Sequence, residues 1–398
     1  MTQLRRIEQG QPSPELRITP QSLLRYNQTE KAIHNRQEWR RTKEARDGQM
    51  TLYIVCGDAR IVTAEIFDGP KIVSIASIAS SGDLEHFKHL LRHDYVGQIV
   101  VVGHFDHEKI NETGHMAGCG GIDNSKKLKK GEVKIENEEL ESFLEQRVSP
   151  GFFSSVKKTV EEAGMLSGGK PVLGVLVDHL TYGAFPIMEL IGSRLMKYPE
   201  GYLKAFQKGQ ITNIQDLLTL DSGVFPELKI TDLDPVFRKI IKKNREKARK
   251  RIEKDPDFMK RQKVQNPSTV AISTCPMPMA LRYPEPFGVP NKVFVIRQPF
   301  IKRDELKSLS FEDVDFKSVV GQLYFPLSNA LKNDPKKGFT DTRDLLIETP
   351  NLELSAQIAN RLKTIQFVKD WIAQRGGKII IAEVKEDETT RAQFFSED

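Results

Sequence analysis

The sequence predicts an α/β protein with a mostly parallel sheet flanked by helices, and it predicts that sheet twice in one chain. Three observations carry this. Short apolar runs rich in Val and Ile recur without alternation, helical stretches lie between them, and the second half of the chain echoes the first.

The chain has 398 residues, long for one core, so more than one domain is expected. Hydrophobic content of 38% and charged content of 29% suit a soluble globular protein. No apolar run approaches the ~18–20 residues of a membrane span. MTQLRRIEQGQPSPELR has no apolar secretory core. Three cysteines cannot build a disulfide framework, which points to a reducing, cytoplasmic setting where thiolates can hold metal.

Residues 1–19 carry Pro and Gln without a period and read as a loose arm. From Pro20 to Arg46 apolar positions are sparse and charges dense, which predicts one or two helices lying on a neighbour. TLYIVCGDA, KIVSIASIA, QIVVVGHFD and PVLGVLVDH then read as buried parallel strands. Between them GDLEHFKHLLRHDY puts Leu84, Phe87, Leu90 and Leu91 on one helical face, and SPGFFSSVKKTVEEAG opens with a helix start. STVAISTC, NKVFVIRQP, VVGQLYFPL and KIIIAEV are the strand-like runs of the second half. The organisation read from this is an arm with helices over 1–50, a first α/β domain over 51–230, a basic helical linker over 231–267 and a second α/β domain over 268–398. The net charge of +6 concentrates in RKIIKKNREKARKRIEKDPDFMKRQK (238–263). Without interleaved aromatics this reads as a solvated helix or tether and argues against nucleic acid.

Two echoes support duplication. SGGKPVLGVLVDHLTYGAFP (167–186) is matched by RGGKIIIAEVKEDETTRAQF (375–394), an offset of 208, and LYIVCGDAR (52–60) by VAISTCPMPM (270–279), an offset of 219. On that alignment Cys275 stands for Cys56, and Met277 and Met279 stand for Asp58 and Arg60. The second copy then keeps its core and loses its chemistry.

Open parallel sheets bind ligands at the carboxyl ends of their strands, where Cys56 falls. Asp58 and Arg60 follow two and four positions on. Cys119 lies beyond the strand QIVVV, in a stretch that also holds His104, His107 and His115. A lone Cys there is more often a small core residue. Two thiolates with an imidazole instead match a zinc site with one position open to water.

These residues bring out a resemblance. CGDAR, then VVVGH and GHMAGCGGI, with VLGVLVDHLTYGAF as a last strand, resemble the β-class carbonic anhydrases over roughly residues 20–190 and more faintly over 268–398. The resemblance implies Zn2+ on Cys56 and Cys119, with His115 as the nitrogen ligand and His104 as its alternative. His115 stands four residues before Cys119, where the family has three, and His107 is a third, outlying candidate. It implies that Asp58 accepts a hydrogen bond from zinc-bound water, that Arg60 holds Asp58, and that Gly120 and Gly121 permit the tight turn after the ligand. The activity implied is hydration of carbon dioxide to bicarbonate by a metal-bound hydroxide. The alternatives are a non-catalytic binding or assembly protein of the same fold, a related CS2 or COS hydrolase, or a plain α/β protein whose Cys and His are ordinary residues. The family's Arg-Asn-Ala-Gly after the second strand is missing from KIVSIASIASS. The expected assembly is a pseudo-dimer within one chain, with further pairing of such chains into a homo-oligomer.

Overall fold

The structure, a computed structural model, describes residues 18–55, 60–67, 71–75, 84–106, 152–192, 194–197, 233–264, 266–284, 291–297, 309–314, 316–385 and 387–395. Residues 1–17 of the expected loose arm lie outside them. Two helices come first, α1 (Pro20–Asn27) and α2 (Glu30–Ala45). Thr19 caps α1 in a capping box with Ser22, and Pro20 sits in the first turn, where its missing N–H costs nothing.

The first sheet has the strands β1 (Met50–Val55), β2 (Ile72–Ile75), β3 (Val96–Phe105), β4 (Val172–Asp178), β5 (Ala184–Ile191) and β6 (Arg194–Lys197), in the order β2-β1-β3-β4-β5-β6. β1 to β4 are parallel, and β5 and β6 return antiparallel. Its helices are α3 (Thr63–Ile66), α4 (Lys88–Arg92) after a 3-10 turn at Leu84–Phe87, and α5 (Phe152–Leu166).

The second part continues with α6 (Pro235–Lys254), α7 (Phe258–Gln262), β7 (Thr269–Ser273), α8 (Met279–Arg282), β8 (Val293–Arg297), α9 (Phe316–Lys332), β9 (Asp344–Thr349), α10 (Leu352–Lys363), α11 (Gln366–Arg375), β10 (Lys378–Lys385) and β11 (Glu388–Phe394). Its sheet runs β11-β10-β9-β7-β8, parallel except for β11. Strand for strand, β7 to β11 repeat the order and direction of β1 to β5.

Two sequence expectations are corrected here. VVGQLYFPL is not a strand but part of α9. Its buried Val319, Val320, Leu323, Leu327 and Ala330 follow helical spacing. The strand in that place is DLLIET (β9), whose two acidic residues hid it. The basic segment is also not a free tether. α6 exposes lysines on one side and buries Phe237, Ile241, Asn244, Arg245 and Ala248 on the other.

What it buries against is the first sheet. Each sheet has one face under its own helices and the other under the arm that precedes the other sheet. Leu52, Ile54, Ile99 and Val101 pack with Val156 and Val160 of α5, whereas Tyr53, Val55, Val100 and Val102 pack with Phe237 and Ile241 of α6. In the second sheet Val270, Ile272, Leu345 and Ile347 pack with α9 and α10, whereas Ala271 and Leu346 pack with Leu23 and Tyr26 of α1. Each large apolar side chain so buried is worth roughly 1.5–3 kcal/mol.

Two asparagines anchor these crossed arms in matching ways. Asn244 of α6 donates to the carbonyl of Ile66, the last residue of α3, at 3.0 Å and accepts from the Ala184 N–H of β5 at 2.7 Å. Asn27 of α1 donates to the carbonyl of Arg282, the last residue of α8, at 3.3 Å and accepts from the Thr389 N–H of β11 at 3.1 Å. Both asparagines are buried.

The faces correct the alignment of the echoes by one residue. Matching the helix-covered faces places Ile54 on Ile272, an offset of 218 rather than 219, and Val175 on Ala382, an offset of 207 rather than 208. Pairing agrees from both sides. Ile54 faces Val101 as Ile272 faces Ile347, and Val102 faces Val175 as Glu348 faces Ala382, so β3 matches β9 at an offset of 246 throughout. A strand buried on both faces has no alternation to pin its register, and a one-residue slip exchanges the faces. The counterpart of Cys56 is therefore Thr274, not Cys275.

Candidate functional site

β1, β3 and β4 end side by side. Val55 pairs with Val102, and His104 pairs with Val177. In the sequence, Cys56-Gly57-Asp58-Ala59 follows Val55 directly. Those four residues lie outside the described set, as do His107, His115, Cys119, Gly120 and Gly121. Arg60 and His104 are the candidates within it. His104 is 1% exposed and Arg60 6%, so both belong to the interior.

Around them is a polar cluster that sequence reasoning missed. Asp178 ends β4 and shapes the hairpin into β5, accepting from the Thr181 N–H at 3.1 Å and the Thr181 hydroxyl at 2.5 Å. This is an Asx-type turn. His179 follows, with no exposed surface, and its N–H donates to the Phe105 carbonyl at 2.9 Å. The Arg60 guanidinium donates through Nη1 to His179 Nε2 at 3.0 Å and reaches the Gln262 carbonyl of α7 at 3.4 Å. The Tyr182 hydroxyl donates to the Arg60 carbonyl. Asp106 Oδ2 stands 3.5 Å from His179 Nε2, and the His104 and His179 rings lie 6.0 Å apart. Arg251 of α6 stacks over Tyr182 at 4.8 Å, and Phe258 meets its edge. The arm leading to the second sheet thus closes over this end of the first. The signal for His179 was present in the sequence: a histidine directly after the apolar run of β4.

The second sheet differs at the matching end. Arg282 and Glu348 form a fully buried bidentate pair, with Nη2 to Oε2 at 2.7 Å and Nη1 to Oε1 at 3.2 Å. Ser273 accepts from Arg282 at 3.0 Å, and the Tyr283 hydroxyl bonds both Glu348 and Thr389. The first-sheet counterparts of Ser273, Arg282, Tyr283, Glu348 and Thr389 are Val55, Ile66, Phe67, Val102 and Ala184, all apolar. Cys275 donates its thiol to Asp387 Oδ1 at 3.3 Å. Burial pushes that thiol's pKa well up, so it holds its proton.

Among the described residues no three of His, Cys, Asp and Glu stand together as a metal site, and no helix is long and apolar enough to cross a membrane. The candidate donors nonetheless suit zinc chemically. His104 offers a buried imidazole at the end of β3, and thiolate with imidazole is a zinc donor set.

No family model matches the chain, and no curated protein matches it. Among solved structures, parts of the chain are similar to β-carbonic anhydrases. The Coccomyxa enzyme in complex with acetazolamide matches at 16% identity over 42% of this chain and 85% of its own, with a TM-score of 0.23. A tetrameric enzyme of Sordaria macrospora matches at 15% over 39% and 88%, TM-score 0.23, and CafA of Aspergillus fumigatus at 20% over 42% and 85%, TM-score 0.20. At TM-scores this low the likeness decides neither fold nor chemistry.

Proposed function

We propose that the chain is a carbonic anhydrase-like zinc protein made of two fused copies of one α/β unit, the first catalytic and the second degenerate, and that it hydrates carbon dioxide to bicarbonate. The observation that carries the site is the register of β1 and β3. β1 ends at Val55, paired with Val102 two residues before His104, and Cys56-x-Asp58-x-Arg60 follows directly in the sequence. For that reason we take His104 ahead of His115 as the nitrogen ligand, with Cys56 and Cys119 as thiolates. Zinc held there would supply Lewis acidity, the property that makes water ionise near neutral pH. Asp58 would accept a hydrogen bond from the reacting water and orient it, and Arg60 would keep that segment in place.

Duplication is supported by the repeated strand order, by strand pairings of β1, β3 and β4 that match those of β7, β9 and β10 residue for residue, and by the matched anchors Asn27 and Asn244. The degenerate second copy is supported by Thr274 and Pro350, the counterparts of Cys56 and His104, neither of which ligates zinc. Elemental analysis and a CO2 hydration assay on the full chain test the whole reading. One zinc per chain is expected, lost in Cys56→Ser and kept in Cys275→Ser. Asp58→Ala should keep zinc and lose activity ~10–100-fold. Protein purified without chelator that holds no zinc would sink the reading. Zinc without hydration would favour the non-catalytic or the CS2/COS alternative.

A further inference from the structure

We propose that His179 is the positioning residue of the first-sheet site: its imidazole fixes the Arg60 guanidinium, and its main chain ties the β4–β5 hairpin to the end of β3 beside His104. For what the site does, this rests on the carbonic anhydrase-like reading. The positioning has its own grounds.

A guanidinium can only donate, so at 3.0 Å His179 Nε2 accepts from Arg60, and the ring carries its proton on Nδ1. The other end of Arg60 is held from the same hairpin, because the Tyr182 hydroxyl donates to the Arg60 carbonyl. Two residues three positions apart thus grip the side chain and the main chain of one arginine. The hairpin that presents them is braced by Asp178 and by Tyr182 in the left-handed region, φ 67°. His179 N–H bonds the Phe105 carbonyl at 2.9 Å, one residue past His104. Asp106, 3% exposed, has a carboxylate oxygen 3.5 Å from the same nitrogen; with the ring proton on Nδ1 no hydrogen bond joins them. The motif arginine, through the imidazole, and the end of β3, through the main-chain N–H, are therefore both tied to one buried residue, which no part of the Cys-x-Asp-x-Arg pattern contains.

The test uses full-length His179→Leu, His179→Gln, Arg60→Ala and the double variant His179→Leu/Arg60→Ala, each checked for fold by circular dichroism. Three readouts apply: kcat and KM for CO2 hydration, the visible spectrum of the cobalt(II)-substituted protein, and the melting temperature of the metal-free protein. His179→Leu is expected to lower kcat ~10–100-fold with little change in KM and to shift the cobalt bands. Arg60→Ala should do the same, and the double variant should be no worse than the poorer single one. His179→Gln, whose amide oxygen can still accept, should recover most of the loss. A folded His179→Leu with wild-type kcat and cobalt spectrum overturns the proposal, as do losses that multiply in the double variant. If the wild type takes up no metal and hydrates no CO2, the functional reading fails, and positioning is then judged on melting alone. Non-additive losses of the two single variants would uphold it, and additive losses would overturn it.

Discussion

Arg282 has no exposed surface, and burial works to lower its pKa, but the Glu348 carboxylate outweighs that and raises the guanidinium pKa well above its ordinary value. Burial first, and then the same Glu348, raises the pKa of Tyr283. A buried pair like this contributes little net stability while intact, yet removing one partner strands the other charge. Glu348→Gln is therefore expected to cost roughly 3–5 kcal/mol in chemical denaturation. The double variant Arg282→Ile/Glu348→Val installs the residue types that the first sheet carries at Ile66 and Val102, and it should recover most of that loss. Lys170 offers a pH-dependent case. Burial lowers its pKa to about 8, and its ammonium donates to the His93 carbonyl. Below pH 8 both the folded and the unfolded chain hold the proton, and folding bears the full burial penalty. From about 8 to the unfolded value near 10.4 only the unfolded chain keeps it, so stability rises with pH. Lys170→Met should flatten that rise in melting temperature relative to wild type.

At the scale of elements, the arms decide which helix covers which sheet. α6 is basic on the outside and apolar inside, so its charge describes only its solvent face. Asn244 satisfies a strand N–H and a helix-end carbonyl that would otherwise be buried without partners, and Asn27 does the same in the other sheet. Asn244→Ala and Asn27→Ala are each expected to cost about 1–3 kcal/mol, measured by denaturant unfolding. Because the two anchors sit in separate seats, their losses should add. Two glycines end helices ahead of matching strands. Gly168 (φ 71°) precedes β4 and Gly376 (φ 62°) precedes β10, both in the left-handed region that a side chain disfavours. That shared need accounts for the GGK echo in the sequence.

Among the described residues, neither sheet buries both faces with its own helices. Residues 1–230 alone would lack Phe237, Ile241 and Phe258, which cover Tyr53, Val55, Val100 and Val102, and would leave the α1 face of Leu23 and Tyr26 without a seat. Expressed alone, this fragment is expected to aggregate or to pair with a second copy, because a large apolar face is left open. Size-exclusion chromatography with light scattering checks this. A stable, soluble monomer would mean that the crossed arms are dispensable. On the proposed reading, such crossing gives a second copy a reason to persist without ligands of its own. Its arm supplies the cover for the first sheet, and Gln262 brings a carbonyl to Arg60.

By itself the sequence determined the α/β class and the strands β1, β2, β3, β4, β7, β8 and β10. Those features are written in composition over five to eight residues, and local apolar runs report them directly. Only the tertiary structure decided the register between the halves, because strands covered on both faces carry no alternation. It also decided that VVGQLYFPL winds into a helix while DLLIET, with its charged ends, supplies the strand. And it brought His179 to Arg60 across 119 positions of chain, a contact made by the β4–β5 hairpin folding back over the strand ends and by no local pattern.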